Sequence, residues 1–341
     1  MKLKVKNKCE ILFLTGKEVI TELSSINTKL VFFASKNVQN YVNNIVNGLR
    51  KLNKDVYVYL TSDGEENKNL DKAVMFTQYL ALNNISRKDV IVNIGGGTLC
   101  DLGAFVASIY MRGINYINIP TTLLCAVDAA VGGKTAIDVA GEKNLWGTFN
   151  QPSKVIIDSD MLKNMPKNHV EEGLSEIVKY AIIDGDFENF LQKTELVSEN
   201  LTEIVFECLK IKCAIVEIDE YDLNQRKTLN LGHTVAHAIE VNSNYKINHA
   251  SAVAIGLAIE TKIAFYLNFI SKERYNSIIN LCNKHLNIDF GCVDYSLLLK
   301  FMSRDKKNEG EKIAFSLPTE SGVEVKFFTK EEIEKVLKNI I

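Results

Sequence analysis

Three of the five histidines, His233, His237 and His249, fall in one short stretch, and two of them stand four apart in Gly232-His233-Thr234-Val235-Ala236-His237. In a helix that spacing puts both imidazoles on one face. Neutral imidazole is a common ligand of zinc-like metals, and a catalytic metal site keeps three protein ligands and one open position. A carboxylate would complete such a set. Glu176, three residues before Lys179 in Gly173-Leu174-Ser175-Glu176-Ile177-Val178-Lys179-Tyr180, would share a helix face with that lysine. It reads either as a ligand beside a cation or as half of a solvated salt bridge. The two imidazoles likewise read either as ligands or as satisfied core side chains. His169 and His285 have no such company and read as surface residues.

Gly95-Gly96-Gly97 directly follows the apolar run Asp89-Val90-Ile91-Val92-Asn93-Ile94 and precedes a helical pattern from about Asp101. Glycines there remove the Cβ atoms that would keep a pyrophosphate off the backbone, and the next helix offers its first N–H groups to an anion. Strand, glycine turn and helix come in the order a dinucleotide site needs. Cys100 occupies the third glycine position of GxGxxG, so the ordinary fingerprint is not met, and a tight turn without a ligand would use the same residues. Several cations sit in unusual settings: Lys134 after paired glycines, Lys143 before Asn144, Arg226 in Arg226-Lys227-Thr228-Leu229-Asn230, Lys306-Lys307 after Asp305, and Arg112 before Gly113. A phosphorylated, carboxylated ligand needs converging cations of this kind, although each one alone reads as exposed charge.

The elements that must position these residues are legible as pattern. Leu30-Val31-Phe32-Phe33, a helix near 38–52, Asp55-Val56-Tyr57-Val58-Tyr59-Leu60, a helix near 66–83, the run 89–94, Tyr116-Ile117-Asn118-Ile119 and Lys154-Val155-Ile156-Ile157-Asp158 give the cadence of a parallel α/β sheet. Between the last two strands, Pro120-Thr121-Thr122 and Val131-Gly132-Gly133-Lys134-Thr135 read as a long, ordered functional loop. From about Val170 helical periodicity dominates to the end. The expected division is an α/β dinucleotide-binding domain with a parallel sheet over residues 1–160 and a mainly α-helical metal- and substrate-binding domain over 161–341.

Composition agrees with a cleft enzyme. The chain has 341 residues, 46% of them hydrophobic, enough to bury a large core. Its 40 basic and 42 acidic residues nearly cancel, which argues against a nucleic-acid partner. Seven scattered cysteines without a CxxC spacing read as free thiols of a reducing cytoplasm. The apolar run Ile11 to Leu14 is too short for a signal peptide, and no run approaches a membrane span, so a cytoplasmic protein with no membrane partner is expected.

At this point the chain resembles the sugar-phosphate cyclases, and within them the 3-dehydroquinate synthase family, over nearly its whole length. The resemblance is carried by Asp63-Gly64-Glu65-Glu66-Asn67-Lys68, Gly95 to Asp101, Arg112-Gly113, Ile119-Pro120-Thr121-Thr122-Leu123-Leu124, Asp128 to Ile137, Lys143-Asn144, Glu176 to Tyr180, and most specifically Arg226 to Glu240. It implies NAD and a divalent metal, zinc or cobalt. The implied metal ligands are Glu176, His233 and His249, with His237 facing the substrate instead. Glu65, Lys68, Gly96, Gly97, Asp101, Thr121 and Thr122 resemble residues that contact NAD, with Lys134 and Lys143 beside them. Lys134, Asn144, Lys179, Lys212, Arg226, Asn230, His237 and Lys306 resemble those that grip the substrate, Arg226 at its carboxylate. Asp128 matches a residue near the reacting hydroxyls. Arg112 matches one that reaches a neighbouring subunit's phosphate site, which implies a homodimer.

The resemblance further implies a phosphorylated seven-carbon keto acid substrate and a self-contained redox cycle. An alcohol is oxidised, phosphate is eliminated, the ketone is reduced again, and ring opening and aldol closure follow, with catalysis in the cleft between two domains. Alternatives are another cyclase of the superfamily, a net-redox metal-dependent alcohol dehydrogenase, and an inactive binding protein. The chain departs from the family at two positions. After His249 the family usually has Gly-Glu and this chain has Ala250-Ser251, removing a carboxylate that could orient the metal-bound imidazole. Ser35 stands where an acidic residue often contacts the adenosine ribose.

Overall fold

The computed structural model describes residues 1–292, 298–299, 302 and 312–340. The chain divides into two compact units, one of Met1–Val170 with Leu201–Glu220, the other of Glu171–Asn200 with Tyr221–Ile341. A single boundary near residue 160 therefore misses the return of helix α9 (Leu201–Ile218) to the first unit. That helix packs against the N-terminal strand and against the segment around Asp128.

The first unit holds a seven-stranded sheet. In chain order its strands are β1 (Lys2–Val5), β2 (Cys9–Leu14), β3 (Leu30–Ser35), β4 (Val56–Thr61), β5 (Val90–Gly95), β6 (Asn115–Pro120) and β9 (Lys154–Asp158), arranged as β1-β2-β9-β6-β5-β3-β4. All neighbouring pairs are parallel except β1 with β2. β3 and β5 are buried at every position, which is why they read as continuous apolar runs: a parallel strand is covered on both faces. Their side chains alternate between two cores. Val31, Phe33 and Ile91 point to one face with Phe76 and Leu102, while Leu30, Phe32, Val90, Val92 and Ile94 point to the other with Val42 and Leu49.

Three features were not read from the sequence. β1 and β2 form an antiparallel hairpin-like edge. The expected loop after Thr122 contains a π-helical turn at Cys125–Ala129 and runs into a hairpin of β7 (Lys134–Val139) and β8 (Glu142–Phe149). The second unit, helical as expected through α7 (Leu174–Ile183), α8 (Gly185–Lys193), α10 (His233–Asn242), α11 (His249–Tyr266) and α12 (Lys272–His285), also carries the hairpin β10 (Ile313–Thr319) and β11 (Gly322–Phe328). α11 is the central helix of that unit. It is buried continuously from Ala252 to Thr261 because α7, α10, α12 and β10 surround it, so its sequence is apolar on every side. No described helix is long and apolar enough to cross a membrane.

Candidate active site

In the second unit, α7, α10 and α11 bring three side chains together. Glu176 Oε1 lies 3.3 Å from His233 Nε2 and 3.6 Å from His249 Nε2, and one ligand atom from each residue falls within 4.8 Å of the others. His237 is outside this set; its ring centroid stands 5.7 Å from that of His233, edge to face. Spacing along one helix pairs His233 with His237, but the third dimension pairs it with His249 at the start of the next helix.

Two ligand atoms bound about 2.0–2.1 Å from a tetrahedral centre are about 3.4 Å apart, the separation these atoms show. Glu176 Oε2 meets the Lys179 ammonium, whereas among the described residues Oε1 receives no hydrogen bond and faces both imidazole nitrogens, as an oxygen that would share a cation with them does. The donor set, one carboxylate and two imidazoles, also suits a zinc-like ion with one position left open. The residues fit a divalent metal.

Each ring has its far nitrogen held. His233 Nδ1 is 3.0 Å from the Leu231 carbonyl, and His249 Nδ1 is 3.5 Å from Glu240 Oε1. Lys179 pairs with the other oxygen of Glu176, both side chains being about 1% exposed. Burial opposes ionisation of Glu176, but the Lys179 ammonium and the His233 ring outweigh it and hold the carboxyl well below its usual range. Burial pushes His233 down; His249, also penalised by burial, is raised to about 9 by Glu176 and Glu240.

Backbone geometry places His233. Gly232 has φ +81, open to glycine, and its N–H donates to Glu260 Oε2 at 2.6 Å, while Val235 N–H donates to Oε1 at 3.2 Å. Glu260, fully buried on α11, thereby caps the helix that carries His233. Gly256 lets α11 cross closely here: a Cβ would stand 1.9 Å from the Gly232 carbonyl oxygen. Arg226 is buried and Asn230 half-buried on the 3-10 turn Gln225–Asn230 that leads into Gly232. Lys306 and Lys307 lie outside the described residues.

In the first unit, α4 (Gly97–Ile109) begins at the glycine turn itself rather than near Asp101, so its N-terminal N–H groups adjoin Gly96 and Gly97. Any Cβ on Gly97 would come within 3.2 Å of Ala129. Beside the turn, Lys68 Nζ donates to Asp101 Oδ2 at 2.6 Å and to Asn144 Oδ1 at 2.5 Å, and Thr98 Oγ1 donates to Glu65 Oε2 at 3.0 Å. Thr121 N–H donates to Gly95 O at 2.9 Å, and Thr122 Oγ1 accepts from Cys125 N–H, which ties the end of β6 to the turn. Asn144, expected among the substrate residues, is thus joined through Lys68 to Asp101 beside the glycine turn. Lys134 is exposed at the start of β7, and Lys143 lies half-buried on β8 next to Asn144. Lys212 on α9 reaches Asp128. Arg112 is exposed, with φ +67, in the turn after α4.

Sequence reasoning missed Asp63. At the C-terminal ends of β3 and β4 the Ser35 hydroxyl donates to Asp63 Oδ2, and Asn37 Nδ2 donates to the same atom at 2.7 Å. Asn37 also lines a cavity of about 590 Å³ bounded by Gly16, Tyr41, Ile45, Thr121 and Asp158. His169 lines this cavity rather than plain surface, and His285 is half-buried, with burial pushing it down to about 4.

Known proteins match this chain over most of its length. The family model described as 3-dehydroquinate synthase N-terminal matches residues 58–172, and the C-terminal one matches residues 173–308. A 3-dehydroquinate synthase of Alkaliphilus metalliredigens is 38% identical over 323 residues, 91% of this chain and 89% of its own. Among solved structures, 2-deoxy-scyllo-inosose synthase complexed with carbaglucose-6-phosphate, NAD+ and Co2+ matches over the whole of both chains with a TM-score of 0.87 at 21% identity. A 2-epi-5-epi-valiolone synthase of Streptomyces hygroscopicus, with NAD+ and Zn2+ bound, matches over 100% of this chain and 97% of its own with a TM-score of 0.81 at 18% identity. At those identities the structural likeness is one of fold.

Proposed function

The chain belongs to the 3-dehydroquinate synthase family, the phosphate-eliminating lyases of the shikimate pathway, and we propose that Glu176, His233 and His249 hold the divalent metal of that reaction. Its substrate is 3-deoxy-D-arabino-heptulosonate 7-phosphate, and its products are 3-dehydroquinate and phosphate. The observation that carries the metal assignment is the 3.3 and 3.6 Å separation of the two imidazole nitrogens from the buried Glu176 Oε1, the oxygen that Lys179 leaves to them. When bound, NAD supplies a transient oxidation that returns its reducing equivalents, and the metal supplies Lewis acidity toward the substrate's hydroxyls.

The chain's own residues do the rest. Lys179 keeps Glu176 ionised and so keeps it a ligand. Arg226, whose planar fork matches a carboxylate, takes the acid end of the substrate, with Asn230, His237 and Lys179 beside it, and Lys306 keeps only the substrate role that the family resemblance gives it. Lys134, Asn144 and Lys212 add grip, and Asp128, paired with Lys212, stands near the reacting hydroxyls. Gly96, Gly97 and the start of α4 receive the NAD pyrophosphate, flanked by Glu65, Lys68, Asp101, Thr121, Thr122 and Lys143. Asp63 takes the adenosine ribose in place of the acidic residue absent at position 35, because Ser35 and Asn37 fix its carboxylate there. The adjoining cavity has the apolar walls an adenine ring needs.

Arg112 serves a partner subunit's phosphate site, making the working form a homodimer. Six described cysteines, all buried and free, suit the reducing cytoplasm. The test is metal dependence. Protein stripped by a chelator should lose phosphate-releasing activity and regain it with one equivalent of Zn²⁺ or Co²⁺. Full activity in metal-free protein would remove the assignment.

A further inference from the structure

A ring that binds a metal through Nε2 must present Nδ1–H to an acceptor, which fixes both tautomer and orientation. His233 meets this with the Leu231 carbonyl, 3.0 Å from its Nδ1. For His249 the family's pattern would supply a carboxylate two residues later, where this chain has Ser251. Ser251 sits in the first turn of α11, its N–H donating to the Asn248 side chain at 2.9 Å, and offers no carboxylate.

We propose that Glu240 is the positioning residue for His249, holding Nδ1 from behind so that Nε2 faces Glu176. This deepens the metal reading above and rests on it. Glu240 Oε1 is 3.5 Å from Nδ1, and Glu176 Oε1 is 3.6 Å from Nε2, so one ring lies between two carboxylates, one at each nitrogen. Glu240 is only 6% exposed, and a carboxylate so buried is costly unless it meets donors. It lies on the last turn of α10, seven residues after His233, and seven residues bring a helix back to the same face. One helix therefore carries a metal ligand at its start and the brace of the other histidine near its end. Both ends of that helix are fastened. Glu260 caps the first turn, and the Glu240 carbonyl accepts from Tyr245 N–H at 2.7 Å and from Ser243 Oγ at 3.0 Å.

The experiment is a zinc titration against a competing chelator at one pH on wild type, Glu240→Gln and Glu176→Gln, with melting of each metal-free protein as a check on the fold. Glu240→Gln should bind zinc about 10–100-fold more weakly than wild type while the metal-free melting temperature stays near the wild-type value. The Co²⁺ absorption spectrum should shift as the ligand field of His249 changes. Wild-type affinity and an unshifted Co²⁺ spectrum in Glu240→Gln, with zinc lost in Glu176→Gln, overturn the role of Glu240 alone. Unchanged zinc binding in Glu176→Gln overturns the metal reading and this inference with it. Should Glu240→Gln not fold, ¹⁵N-histidine spectra of zinc-loaded wild type decide: His249 protonated at Nδ1 supports the brace, and His249 bound through Nδ1 overturns it.

Discussion

Lys212 Nζ lies 2.9 Å from Oδ1 of Asp128 and 2.5 Å from its backbone carbonyl oxygen, although 84 residues separate the two. This pair ties α9 to the π-helical turn at Cys125–Ala129, in the unit where α9 also packs on β1.

Replacing Lys212 by Met should remove the Lys212 ammonium from the Asp128 carboxylate. Because that carboxylate is partly open to solvent, the loss of stability should be modest, about 1 kcal/mol by denaturant titration. Turnover should fall far more than NAD⁺ affinity. A variant with wild-type kcat/KM would take Lys212 out of the substrate's reach.

Asp63→Asn should weaken NAD⁺ binding by about tenfold, the order of one charge-assisted hydrogen bond. It should also relax discrimination against NADP⁺, since the Asp63 carboxylate would repel a 2′-phosphate. Calorimetric titration of both cofactors checks this. Unaltered affinities for the two would return the ribose to some other group.

Gly256→Ala drives a methyl group into the Gly232 carbonyl and should cost about 1–3 kcal/mol of stability. Since Gly232 leads directly into His233, zinc affinity should drop as well. Destabilisation with unchanged zinc affinity would show that the helix crossing does not set the ligand.

Ser251→Glu restores the residue expected after His249, yet it should leave zinc affinity within about twofold of wild type, because Glu240 already meets the Nδ1 that a new carboxylate would seek. A gain on the 10–100-fold scale would mean that the His249 ring is loose in the native protein.

The sheet was readable because parallel strands buried on both faces announce themselves as apolar runs, as β5 and β9 do. The hairpin of β7 and β8 was not, because its β8 strand is largely exposed and carries no such run. At the metal site the residue types were plain but the pairing was not. Helical spacing favours His233 with His237, and only the packing of α11 on α10 sets His249 beside His233, at 5.4 Å between ring centroids. The resemblance supplied that set before the fold did. Asp63 and Glu240 were hidden for a related reason. Each works through a neighbour on another element, Ser35 for one and His249 for the other, and a linear chain does not display such contacts.

The central claim is that the protein uses NAD⁺ to release phosphate with no net oxidation. The most direct measurement incubates it with NAD⁺, Zn²⁺ and 3-deoxy-D-arabino-heptulosonate 7-phosphate and follows inorganic phosphate and NADH absorbance together. Many equivalents of phosphate per NAD⁺, with no accumulating NADH, are the predicted result. NADH building up in step with substrate loss, and no phosphate, would contradict it and make the protein a dehydrogenase.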